Sequence, residues 1–136
     1  MIFEDLTKVF DSALKQFEID NSILACIENI DCPTTTATPY LSGFMIPAIV
    51  EQADFTVNEF RTGIYQIDIN YASHLGSAPI NKMADLLNAA LYTGLYLTRN
   101  DICVGIDSVD LGPLIVAGGW AKRPLSINWQ SYTTRI

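Results

Sequence analysis

Few residues in this 136-residue chain have the chemistry for catalysis, and their spacing does not assemble it. His74 is the single histidine, so a metal centre built from several imidazoles is excluded. Ser73 directly precedes it, but chain neighbours do not make a nucleophile–base pair, and no Gly-x-Ser-x-Gly elbow occurs. A loop histidine is the plain reading. Asp101, Asp107 and Asp110 lie close in sequence and offer an acid/base pair or oxygen ligands for a metal. Yet Asp107-Ser108-Val109-Asp110-Leu111 lacks the alternating acidic ligands of a calcium loop, and solvated strand ends are the simpler account.

Gly118-Gly119 is not a phosphate-binding loop, because no Gly-Lys-Ser/Thr follows; a turn ahead of a strand explains it. Trp120, Lys122 and Arg123 bring an aromatic face and two cations together, the pieces of a small single-strand-binding patch. Acidic residues outnumber basic ones 15 to 8, which weighs against that use. Cys26, Cys32 and Cys103 cannot all pair within the chain and lack the spacing of a zinc site. Reduced thiols are expected, with Cys103, inside an apolar run, in the core. No catalytic residue, metal ligand or cofactor is assigned, and the chain is not expected to be an enzyme.

Composition narrows the field further. Apolar residues at 49% against 17% charged describe a globular chain, expected to form one domain over residues 1–136. A formal charge of −7 with scattered basic residues argues against specific nucleic-acid binding. The opening Met1-Ile2-Phe3-Glu4-Asp5 is acidic and shows no leader pattern. The uncharged stretch 32–50 holds three prolines, and 86–98 is shorter than the ~20 residues of a spanning helix, so no membrane segment is expected.

The elements that must position any site are clearer. Tyr65, Ile67, Ile69 and Tyr71 alternate with Gln66, Asp68 and Asn70, the period of a strand with one apolar and one polar face. Leu6, Val9, Phe10, Ala13, Leu14 and Phe17 follow helical spacing, as do Ile80, Met83, Ala84, Leu87, Ala90 and Leu91. Residues 22–27 read as a short strand or the turn of a second small helix, with the strand favoured, and 31–39 is a proline-bounded connector. Tyr40 to Ile49 reads as a strand, with Gly43 at a bulge or close approach and Pro47 at an edge or bulge. Residues 50–60 read as a long mobile tip. Ile102, Val104 and Ile106 alternate, as do Leu125, Ile127 and Trp129, around an unusually apolar linker at 111–119. The expected fold is α+β: a mainly antiparallel sheet of about four to five strands with two helices packed on one face.

In this order of elements the chain resembles the tail terminator, or tail completion, proteins of long non-contractile-tailed bacteriophages, of the type found in phage lambda. The motifs that carry the resemblance are Glu28-Asn29-Ile30, Thr38-Pro39-Tyr40-Leu41, Thr62-Gly63-Ile64-Tyr65-Gln66-Ile67, the Gly76 loop, Gly118-Gly119-Trp120 and Pro124-Leu125-Ser126-Ile127. The resemblance implies a structural virion protein that forms a hexameric ring. Such a ring caps the tail tube and offers the head-side connector a surface to join, with DNA passing through it. One departure is the absence of glycine from 51 to 60.

Three hypotheses follow for sites. Gln66, Asp68 and Asn70 form a polar row suited to a subunit or tube interface. Leu114, Ile115 and Val116, in the apolar linker, would be shielded by a neighbouring subunit or tube ring. Glu51, Asp54 and Glu59 either face the channel, where negative charge keeps DNA from sticking, or form an ordinary solvated loop. Other readings stay open: another neck or head–tail connector component, a stand-alone protein-binding module, or an enzyme using the Asp101–Asp110 carboxylates.

Overall fold

The computed structural model describes residues 2–27, 39–52, 58–72, 78–99 and 102–134. Helix α1 (Ile2–Asn21) buries the stripe Leu6, Val9, Phe10, Leu14 and Phe17 and turns Lys8, Gln16 and Asp20 to solvent. Each large apolar side chain so buried contributes about 1.5–3 kcal/mol. The helix ends where the Asn21 amide donates to the Phe17 carbonyl at 3.2 Å. Ser22 follows with φ of 53°, the left-handed conformation that commonly terminates helices.

The strands are β1 (Leu24–Ile27), β2 (Tyr40–Gln52), β3 (Asn58–Ala72), β4 (Tyr96–Arg99), β5 (Ile102–Leu111), β6 (Ile115–Ala117) and β7 (Trp120–Thr134). They form one sheet in the order β1-β2-β3-β7-β5-β4, with β6 paired to β7 beyond the end of β5. Helix α2 (Ala78–Ala90) lies across β3 and β7 and buries Ile80, Met83, Ala84 and Leu87. Helix α1 touches β1 and β2 at one end of the sheet and β4 and β5 at the other, so the sheet curls around it.

The fold class is α+β as expected, but among the described residues the sheet has seven strands and is mixed. Strands β1 and β2 run parallel, and the long proline-bounded connector supplies the length that such a crossover demands. Strands β4 and β6, four and three residues long, are too short for their periodicity to register. The apolar linker therefore contains a strand, β6, and a Gly118-Gly119 turn into β7. Strands β2 and β3 also extend into the expected 50–60 tip, to Gln52 and from Asn58.

The core is aromatic at its centre. Phe10 stacks on Tyr65 with ring centroids 4.9 Å apart and meets Trp129 at 6.1 Å. Gly63 pairs with Trp129 across β3 and β7, and a Cβ there would lie 2.7 Å from Trp129 Cζ2. Register shifts in β2, between Ile46 and Ile49, and in β5, between Ile106 and Ser108, fall on the same cross-strand line. Pro47 thus sits at a bulge, where its missing N–H is tolerated. Gly43 is a close approach: a Cβ would collide with the Tyr65 hydroxyl and a Leu14 methyl.

Two cysteine expectations are corrected. Cys103 is exposed and free, because it alternates with the buried Ile102 and Val104 and faces away from the helices. Cys26 is disulfide-bonded rather than a reduced thiol.

Candidate joining surface

Strand register brings together two segments far apart in sequence. Asn70 on β3 lies opposite Tyr40 on β2 and Lys122 on β7, and Lys122 lies opposite Ile115 on β6. Directly paired residues project from the same face of a sheet. Tyr40, Asn70, Lys122 and Ile115 therefore form one row on the face turned away from the helices. With Trp120 they line a hollow of about 230 Å³. Tyr40 and Trp120 meet edge to face at 5.1 Å, giving it a rigid aromatic wall.

The polar row Gln66, Asp68 and Asn70 does lie opposite the buried Tyr65, Ile67 and Ile69, but it is not an open strip. Asp68 is 9% and Asn70 5% exposed; only Gln66 is half-open. Their neighbours fold over them. The Gln66 amide donates to Asp68 Oδ1 at 2.8 Å, and Lys122 Nζ lies 3.8 Å from Asp68 Oδ2. The Asn70 amide donates to the Asp68 carbonyl at 3.1 Å and the Tyr40 carbonyl at 3.4 Å. Asp68 and Asn70 hold this face in shape, while Gln66, Lys122 and the aromatic pair present it.

Leu114, Ile115 and Val116 are 42%, 46% and 62% exposed, on the hairpin arm that β6 and β7 form. The base of the arm is fastened. Gly112 N–H donates to the Pro124 carbonyl at 2.7 Å, and Arg123 Nε donates to the Gly112 carbonyl at 2.9 Å. Arg123 Nη1 also donates to Asn81 Oδ1 on α2 at 2.8 Å. Arg123 therefore lies on the helix side of the sheet and Lys122 on the other, so Trp120, Lys122 and Arg123 do not make one stacking patch.

Asp110, near the end of β5, has a structural partner. The Asn128 amide donates to Ser108 Oγ and to Asp110 Oδ2, each at 2.9 Å. Among the described residues no group of three metal-ligating side chains is brought together. No helix among them is long and apolar enough to cross a membrane. His74, Asp54 and Asp101 lie outside the described residues, while Glu51 and Glu59 are placed on strands β2 and β3 rather than in a loop.

The reading of the sequence missed Tyr40 and underused Trp120 and Lys122. The signal for Trp120 and Lys122 is an alternation that starts one residue after Gly119, but only the pairing of β3 with β2 and β7, and of β7 with β6, joins them to Tyr40, Asn70 and Ile115.

Comparison with known proteins follows the same outline. A family model described as phage tail terminator protein matches residues 5–129. No curated protein matches the chain by sequence. One solved structure superposes with a TM-score of 0.76 over 93% of this chain and 92% of its own, at 16% identity, which is a likeness of fold.

Proposed function

The chain belongs to the phage tail terminator family, and from that membership we propose that it caps the tail tube as a ring and presents the surface joined by the head-side connector. A structural role in tail assembly follows from the family. The ring, its six-fold order and the joining surface are proposed on top of that role.

One observation carries it: Ile115 of the exposed Leu114–Val116 arm and Asn70 of the Gln66–Asn70 row line one hollow with Tyr40, Trp120 and Lys122. An apolar projection beside a rigid aromatic wall and a polar rim has the make-up of a protein interface. Glu51, Asp54 and Glu59 are proposed to line the channel, where their charge would keep DNA moving. A charge of −7 per chain opposes self-association at low salt, so rings are expected to form where the tube end supplies further contacts.

The test is the mass of the full chain in solution, alone and with purified tail tubes. A ring or a tube-bound complex is expected. A monomer that never joins tubes would sink the reading.

A further inference from the structure

The sheet treats its free edges unequally. At β1 the backbone of Ala25 is closed off by α1: its N–H donates to Glu18 Oε2 at 2.6 Å, and its carbonyl accepts from Lys15 Nζ at 2.8 Å. Strand β4 lies against α1. Beyond Ile106, which bonds to Gly94 and Leu95, the outer edge of β5 and β6 has no strand beside it among the described residues. Exposed strand edges are templates for pairing, and proteins that do not use them block them with charge, proline or a covering element; Asp107, Asp110 and Pro113 interrupt the β5 side, whereas β6 carries neither charge nor proline.

The backbone of the β6–β7 hairpin aims this edge outward. Gly118 and Gly119 have φ of 58° and 82°, the values of a type I′ turn. In such a hairpin the flanking residues, Ala117 and Trp120, exchange hydrogen bonds, and the next pair does not. Val116 belongs to that next pair, so its N–H and C=O point away from β7. Its side chain is also the most exposed of the arm, at 62%.

The residues along the edge state what would cover it. From Asp107 to Ala117 the only charges are Asp107 and Asp110, both exposed, and Leu111, Leu114, Ile115 and Val116 supply exposed apolar surface. A second copy pairing through this same edge would set these carboxylates against each other, and a ring neighbour meeting it through another patch would still bring a chain of −7. The chemistry fits a different polypeptide.

We propose that the free edge of β5 and β6 accepts an extended segment of a tail partner as an added strand, one with alternating apolar side chains and basic residues facing Asp107 and Asp110. Main-chain bonds at Val116 would give affinity and the flanking side chains specificity. The proposal rests on the joining role above and specifies how that surface joins.

The experiment measures binding of the full chain to purified tail tubes, with amide hydrogen exchange read at residues 114–117. Val116→Pro deletes the outward N–H without touching a β6–β7 bond, and Val116→Thr keeps it. Expected are protection of the Val116 amide on binding, at least a tenfold loss in Val116→Pro, and near-normal binding in Val116→Thr. Should Val116→Pro unfold, Asp107→Lys decides, with a tenfold loss and a flattened salt dependence expected. Tube binding without Val116 protection, or undiminished in Val116→Pro or Asp107→Lys, overturns strand addition while leaving the joining role intact. Protection that appears through self-association alone overturns the choice of partner. If the wild-type chain fails to bind tubes, strand addition and the joining role both fall.

Discussion

The Tyr65 hydroxyl donates to Asp11 Oδ1 at 2.6 Å, tying the centre of the sheet to α1 across 54 residues of sequence. Tyr65 is fully buried, and its ring stacks on Phe10 one helical position before Asp11. One aromatic residue thus fixes both the height of α1 above the sheet and its rotation. Tyr65→Phe keeps the ring and deletes the bond to the carboxylate. It is expected to destabilise the chain by about 1–3 kcal/mol. Urea unfolding followed by far-ultraviolet circular dichroism checks this, and an unchanged midpoint would refute it.

Gly63→Ala places a methyl 2.7 Å from Trp129 Cζ2, so the buried indole or the backbone must shift. Overpacking of this kind is expected to cost about 1–3 kcal/mol and to shift Trp129 fluorescence. Combining it with Trp129→Phe, which removes the crowded ring, should yield less than the sum of the two single losses. Strict additivity would show that the two positions do not meet.

Leu114→Ser together with Ile115→Ser should cost the folded chain about 1–2 kcal/mol in total and leave it folded, since each side chain is only about half removed from water. Ring or tube association should weaken by about tenfold or more, the effect of losing apolar anchors at an interface. Sedimentation of the variant with and without tubes measures both quantities. Normal assembly would remove the hairpin from the interface.

Burial raises the Tyr71 phenol above its ordinary pKa of 10.0. A folded-state pKa above the unfolded value means stability that is complete below pH 10.0 and declines as pH rises through the folded value. Tyr71→Phe should flatten that alkaline decline while leaving the neutral-pH midpoint nearly unchanged. Denaturant titrations at pH 8 to 11 give the comparison, and an identical decline in both proteins would contradict it.

What periodicity reports, the sequence made legible. The Leu6–Phe17 stripe, the alternation at 65–71 and the stripe from Ile80 to Leu87 all face one core. Glycines were informative at the Gly118-Gly119 turn and at Gly43, the close approach to Tyr65; Gly63 against Trp129 was not singled out. Strand order was not legible, because it depends on which non-local edges meet. For that reason Asp68 and Asn70 read as an exposed row when Lys122 and Tyr40, distant in sequence, cover them. Strand β6 read as linker because three residues define no period, and its apolar character pointed to a surface without giving its form. Half of the joining surface was therefore visible as two separate patches; that they touch was not.

The fastened base of the hairpin has an energetic consequence. Gly112 and Arg123 hold the foot of the arm, and the Gly118-Gly119 turn closes its tip. Leu114, Ile115 and Val116 are thereby ordered before any partner arrives. Fixing the backbone of a loose segment of that length would cost about 1–2 kcal/mol per residue at the moment of joining. Here folding has already absorbed that entropy, so more of each new contact appears as affinity. The arm meets its partner pre-shaped, which favours rapid capture at a tube end over slow ordering on its surface.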